Sequence, residues 1–361
     1  MILAQNHTQT LILLISSALC WGLWAAVYSR RRQRRFEFFY VDVAIGAAIL
    51  AVVCALTVGS LGFDGFSFSD DLMHAAKRPL ALAFGAGIIF NLANMILMGA
   101  ISVAGIAVAV PLGLGVSTLL GMGILVLLRR AGNPALLFSG SVCLLVAIIM
   151  VGVAYSLLIS ARQDQLVKEG KVTTTNLPGY GKGRIVSTDA PSAAKGLLLA
   201  VVSAALMWII YPLINTAHAG ETGLGPYSIT FLFIGAALVS TFVFELFFIN
   251  LPVEGEPLDI ADYFRGGIGD HLLGWAAGMI LCAGILAELV SESGPSEAQV
   301  GGVMTYGLKQ GAMLVALVWG VWVSKDFRGA EPRVRNLLYV ILGLMALGIL
   351  LTAMASPTIN A

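Results

Sequence analysis

Ten apolar runs, each long enough to cross a bilayer, constrain this chain more than any other feature of its sequence. They fall at roughly 9–29, 40–61, 80–101, 104–128, 135–159, 195–216, 227–249, 271–290, 298–323 and 335–355. A hydrocarbon core about 30 Å thick is crossed by about 20 helical residues. Inside it, each backbone N–H and C=O must be satisfied within its own segment, so runs of this length fold as helices. The 361 residues are 58% hydrophobic and 11% charged, whereas soluble domains carry roughly 25% charged residues. The sequence therefore predicts an all-α integral membrane protein lodged in a lipid bilayer. Its net charge of +1 gives no electrostatic footing for nucleic acid. Cys20, Cys54, Cys143 and Cys282 all lie inside apolar runs and read as small packing residues. No His/Glu set has metal spacing and no Ser-His-Asp set is plausible. The chain reads as a non-enzyme with no metal and no cofactor.

The longest non-apolar stretch, about 160–194, is rich in Lys, Thr, Gly and Pro and reads as a solvated linker. It divides the chain into 1–160, a linker 161–194 and 195–361, with five spans on each side. Loops after spans 1, 3, 5, 7 and 9 share one face of the membrane. They carry sixteen of the 21 Lys and Arg, including Arg30, Arg31, Arg32, Arg34 and Arg35. The other face carries four: Lys77, Arg78, Arg129 and Arg130. The positive-inside rule places the linker in the cytoplasm and both termini outside, in an inner (plasma) membrane. The first run is followed, not preceded, by cations, which fits an uncleaved first span.

The two halves share weak matches. Trp21, Trp24 and Tyr28 are spaced by three and four, which puts three rings on one helix face. Trp208, Tyr211 and Asn215 repeat the spacing about 187 residues later. Ile45-Gly46-Ala47-Ala48 matches Ile234-Gly235-Ala236-Ala237, and Phe84 to Gly87 matches Trp275 to Gly278, at nearly the same offset. An odd number of spans per half turns the second copy over in the membrane. The expectation is ten transmembrane helices as two inverted five-helix repeats, with a site near the midplane between them.

Further motifs are Cys20-Trp-Gly-Leu-Trp24, Arg35-Phe-Glu-Phe-Phe-Tyr-Val-Asp42, Gly87-Ile-Ile-Phe-Asn-Leu-Ala-Asn94, Ala107-Val-Ala-Val-Pro-Leu-Gly113 and Gly132-Asn-Pro134. In these, and in its ten-helix arrangement, the chain resembles the drug/metabolite transporter superfamily, and within it the ureide permease family and its bacterial relatives. The resemblance is dense over about 18–155 and mostly topological after 195. It implies secondary-active, proton-linked movement of a small neutral polar solute such as allantoin or uracil. Related glucose/ribose and rhamnose porters make a monosaccharide the alternative. An exporter of drugs or metabolites is the weaker reading, because span 1 has no carboxylate of the kind that small cation exporters use. Plant ureide permeases carry a phosphate-loop-like motif in the central loop. Here that loop offers Gly179-Tyr-Gly181-Lys182-Gly183, with Asn176 where the first glycine belongs and Gly183 where Ser or Thr belongs. It reads as a flexible basic linker, not a nucleotide site. Neither a monomer nor a homodimer is favoured.

Candidate substrate-binding residues are Trp21, Trp24, Asn91, Asn94, Trp208, Tyr211, Asn215, Tyr306, Lys309 and Gln310. The aromatic rings suit a planar heterocycle or the apolar face of a sugar, and packing is the competing role. Asn91 and Asn94, three apart on span 3, offer paired donors and acceptors, or else join helix to helix. Pro111 and Gly113 in span 4, Pro212 in span 6 and Gly307 in span 9 are candidate hinges, with tight packing as the alternative. Glu37, Asp42 and Glu245 are placed at cytoplasmic span ends, where solvation makes charge cheap, and Glu288 near an outer end. Lys309 stands about twelve residues from either end of its run, roughly 18 Å at helical rise. A charge at that depth is a functional candidate. It pairs with a carboxylate, of which Glu288 is the nearest, or lines a wet cavity, or titrates as a proton-coupling group. Snorkelling to the interface is the bland alternative. Lys309 and Glu288 are thus the candidate coupling pair, with the proton as coupling ion.

Overall fold

The computed structural model describes residues 1–29, 35–62, 66–129, 132–169, 174–175, 184–185 and 193–356. The arginines at 30, 31, 32 and 34 and the Gly179 to Gly183 motif lie outside them. Among the described residues, ten helices are long and apolar enough to span a membrane. Spans 1 to 5 are His7–Tyr28, Phe36–Leu56, Lys77–Ala104, Ile106–Ile124 and Pro134–Lys168. Spans 6 to 10 are Ala193–His218, Pro226–Asn250, Ile268–Glu292, Gly302–Val323 and Pro332–Met354. This is an all-α, multi-pass membrane protein. Outside the helices, Thr174–Thr175 pairs antiparallel with Arg184–Ile185.

Local chemistry sets the helix starts. The Asn6 side chain accepts from Gln9 N, and the Asn133 side chain accepts from Ala135 N and Leu136 N ahead of Pro134, as N-caps do. Spans 3 and 4 are separated by Gly105 alone, at φ +85°, and span 9 follows Gly301 at φ +81°. That left-handed backbone favours glycine. The Asp326 carboxylate, from the loop between spans 9 and 10, accepts from Ala107 N at 3.0 Å and caps span 4.

Three spans are not continuous α-helices. Span 1 pauses at Trp24 and Ala25 before a last turn, Ala26–Ser29. Span 4 widens into a π-helical turn at Pro111–Gly115. Span 9 breaks at Gln310, between Gly302–Lys309 and Gly311–Val318, and ends in a π-helical turn at Trp319–Val323. Span 6, by contrast, runs unbroken through Pro212.

The helices pack in a regular scheme. Span 3 lies against spans 6 and 7, and span 8 against spans 1 and 2. Span 5 pairs with 10, span 2 with 7, and span 4 with 9. Exchanging each span with the one five places away leaves this scheme unchanged. The same exchange relates single contacts. A Cβ built on Gly87 would overlap Phe233 O and stand 2.9 Å from Ala236 Cβ; one built on Gly278 would overlap Val43 O and stand 2.6 Å from Ala47 N. Small residues let backbones approach this closely. Gly278→Leu is therefore expected to remove the folded species in size-exclusion profiles of membrane extracts. Gly235→Leu, where a side chain meets open space, should leave the profile as in the wild type.

Three carboxyls expected at solvated edges are instead buried. Glu37 is 0% exposed and held by Arg35 at 2.9 Å. Asp42, also 0% exposed, lies 2.9 Å from His271 Nδ1 and accepts from Tyr263 OH at 2.7 Å. Glu245 is buried as well, and neither of its carboxylate oxygens has a hydrogen-bond partner among the described residues. The span ends pack against one another and against the 251–267 loop, and this covers positions that sequence alone places in water.

Candidate functional site

A cavity of about 170 Å³ lies inside the bundle, walled by spans 1, 3, 4, 6, 7, 8 and 9. That exceeds by an order of magnitude the ~10–15 Å³ that one water needs. Phe90 and Phe233, 4.7 Å apart between ring centroids, form its floor. Below them Leu97, Met98, Ile101 and Leu112 belong to the dry core. At the other end the cavity reaches His218 and Glu292, the last residues of spans 6 and 8. It therefore opens toward the face that holds the loops after the even-numbered spans.

Span 1 contributes Trp21 to the wall and span 6 contributes Trp208, Tyr211 and Asn215. Trp21 stands edge-on to Phe90, with centroids 6.1 Å apart. Its Nε1 is buried and makes no hydrogen bond of full geometry among the described residues, although the ring edge lies beside the Glu288 carboxylate. Tyr306 and Lys309 enter from the first half of span 9. Tyr306 lies edge-on to Tyr211 at 5.1 Å, and its buried hydroxyl, beside that of Tyr211, makes no hydrogen bond of full geometry among the described residues. Gly121 on span 4 makes room for that ring, since a Cβ there would meet Tyr306 Cε1 at 2.8 Å. Ser17, Ser117 and Thr118 add hydroxyls to the wall, but each already donates to a backbone carbonyl.

The charged centre is Lys309. Its Nζ lies 2.6 Å from Glu288 Oε1 and 2.9 Å from Glu292 Oε1. It also sits 5.3 Å from the Tyr211 ring centroid and 5.0 Å from that of Tyr306, within cation–π range. Lys309 closes the eight-residue helix Gly302–Lys309. It is thus about 12 Å along that helix, nearer one end of the span than its sequence run implies, because residues 298–301 are not helical. The long side chain neither snorkels nor stands alone. A cavity with an isolated positive group is thus replaced by one carrying a Glu288–Lys309–Glu292 cluster.

Other candidates sit elsewhere. Trp24 is fully buried in the core with Tyr28, which packs on Phe39 at 5.3 Å. Trp24 keeps helical backbone and donates its N–H to Cys20 O at 3.0 Å, so its ring is covered by neighbouring helices rather than turned by the break, which lies between it and Tyr28. Asn91 is used between helices, donating to Ser240 Oγ at 2.9 Å and accepting from Thr241 Oγ1 at 3.1 Å on span 7. Asn94, beside Tyr40, is buried away from the cavity, and so is Gln310; neither amide makes a hydrogen bond of full geometry among the described residues. Gly307 backs onto Ala353 of span 10, and Gly113 onto Leu97. Pro111 opens the π-helical turn, and Pro212 is exposed on the outside of span 6. Glu292 was absent from the sequence reading, which ended span 8 at 290. The spacing of Glu288 and Glu292, four apart on one helix face, is the signal that finds it. No group of three or more His, Cys, Asp or Glu able to hold a metal occurs among the described residues.

No protein-family model matches the chain. Ureide permease 1 of Arabidopsis thaliana is 21% identical to it over 379 residues, covering 95% of this chain and 95% of that protein. A solved crystal structure of a protein shares 14% identity and a TM-score of 0.51, over 99% of this chain and 100% of its own. At that identity the second likeness is one of fold. The first is a remote similarity along the whole length of a permease.

Proposed function

We propose that the chain is a secondary-active transporter of a small neutral polar solute, ureide- or nucleobase-like, driven by protons through alternating access. One observation carries the reading: the cavity places Trp21 and Trp208 in the same space as the Lys309–Glu288–Glu292 cluster, inside a chain similar to a ureide permease from end to end. The rings suit the faces of a flat solute. The Trp21 Nε1–H, beside Glu288, and the Tyr306 O–H, beside Tyr211, make no hydrogen bond of full geometry among the described residues, so a solute carbonyl at either would gain a donor that the wall uses weakly. Lys309 and Glu288, joined by Glu292, supply exchangeable protons in the same space.

The helix contacts support reading 1–160 and 195–361 as inverted repeats, since exchanging the halves preserves them. With the linker in the cytoplasm, the cavity faces outward, and Phe90 and Phe233 close the inner half. A cysteine introduced at Gly179, outside the described residues, should then resist an impermeant thiol reagent in intact cells; ready labelling overturns the orientation. Uptake of radiolabelled allantoin, uracil and monosaccharides into vesicles, with and without a proton gradient, tests the function. The expected result is gradient-dependent accumulation of allantoin or uracil. Accumulation of a monosaccharide alone assigns the chain to sugars, and accumulation of none of them overturns the reading.

A further inference from the structure

The inner half of the bundle holds a second polar site that the cavity does not reach. Glu245 on span 7 is 6% exposed and Asn94 on span 3 is 0% exposed; neither Glu245 oxygen has a hydrogen-bond partner among the described residues, and the Asn94 amide, beside Tyr40, makes no hydrogen bond of full geometry. Helix register brings them to one level. Spans 3 and 7 run parallel, and Asn91 is bonded to Ser240 and Thr241. One turn further along each helix comes Asn94 on one and Glu245 on the other. From span 2, Tyr40 lies beside Asn94 and within electrostatic reach of Glu245, and Glu37 reaches Glu245 in the same way. Glu37 and Tyr40 are the titratable groups facing Glu245. Arg35 is committed to Glu37 and to Glu256 O at 3.2 Å.

Among the described residues no donor or cation pairs with a Glu245 carboxylate, and burying a charge uncompensated is among the costliest arrangements a protein can hold. Glu37 worsens it by repulsion. A proton on Glu245 removes the charge and turns one oxygen into a donor, for which the Asn94 carbonyl is an acceptor at the same level. We propose that Glu245 is a proton-binding site in the inner half of the bundle, separate from the Glu288–Lys309–Glu292 cluster. Its proton passes to the cytoplasm when spans 2, 3 and 7 part. The second statement rests on the transporter reading and its orientation; the first does not. With both sites, a proton taken up beside Lys309 has a partner group on the far side of the Phe90–Phe233 floor.

Infrared difference spectra of the full chain in lipid bilayers at neutral pH test the proton without any solute. The wild type should show the carbonyl band of a protonated carboxylic acid that Glu245→Gln lacks. An identical band in both overturns the proposal. Should the Gln variant yield no folded protein, Glu245→Asp keeps the acid and must shift the band; an unshifted band overturns the assignment equally. A melting temperature raised by sodium over choline in the wild type but not in Glu245→Gln would make the occupant a metal cation and sink the proton. In vesicles under a proton gradient, Glu245→Gln should lose the gradient-driven accumulation of allantoin that the wild type shows, because the variant cannot carry the proton. Wild-type accumulation by that variant, with the band lost, overturns the exchange with the cytoplasm. If the wild type moves no allantoin, the transporter reading fails while the infrared result stands on its own.

Discussion

Lys309→Met is expected to abolish gradient-driven accumulation and to destabilise the protein, two effects with separate causes. The stability loss comes from the partners. Without the ammonium, Glu288 and Glu292 face each other four residues apart on span 8, where Lys309 now holds them at 2.6 and 2.9 Å. Breaking a fully buried pair costs about 3–5 kcal/mol. Here the carboxylates keep 23% and 31% of their side-chain exposure, so water screens part of that and about 2 kcal/mol is the expected scale. The transport loss comes from the function proposed for Lys309. Adding Glu292→Gln to Lys309→Met removes the repulsion and should restore the melting temperature without restoring accumulation. Lys309→Arg keeps the charge but replaces a compact ammonium with a broad fork, so partial binding should remain. Unchanged accumulation by the Met variant removes Lys309 from the mechanism.

This contrast between stability and function follows what the sequence discloses and what it hides. The ten spans are legible because backbone groups in lipid have only internal partners, and composition alone then dictates helices. Lys309 is legible because charge inside such a run is expensive enough to need a reason. Its partner Glu292 was hidden by a boundary. Hydropathy ends span 8 where the polar residues begin, whereas the helix continues to Glu292 because the carboxylate has a cation to face. Asn91 and Trp24 were misplaced for a related reason. Spacing fixes the face of an ideal helix, but not which neighbour occupies that face, nor where the helix stops. Span 1 pauses at Trp24 and Ala25 before Ala26–Ser29, so the spacing carries as far as Trp24 and does not carry to Tyr28. Glu245 reads as a solvated edge charge because proximity to a span end is a statement about depth, whereas burial depends on lateral packing against spans 2 and 3, which only the assembled bundle shows.

Trp21 and Trp24, three residues apart, now give opposite expectations. Trp24 is 0% exposed and packs within the main core. Truncating so large a buried ring costs about 3–5 kcal/mol, so Trp24→Ala should lower the melting temperature severely while any surviving protein binds solute normally. Trp21 and Trp208 line the cavity, where their rings meet open space and, in the proposed function, the solute. Loss of one stacking face costs about 0.5–1.5 kcal/mol beyond the area involved, which is up to about a tenfold weaker affinity. Trp21→Ala also deletes the Nε1–H beside Glu288, so its effect should be the larger of the two. Thermal-shift titrations with allantoin read both quantities in one experiment, since a bound solute raises the melting temperature by mass action. Wild-type affinity in both Trp21→Ala and Trp208→Ala would mean that the rings only fill the wall, and the aromatic basis for choosing a flat solute would fall with them.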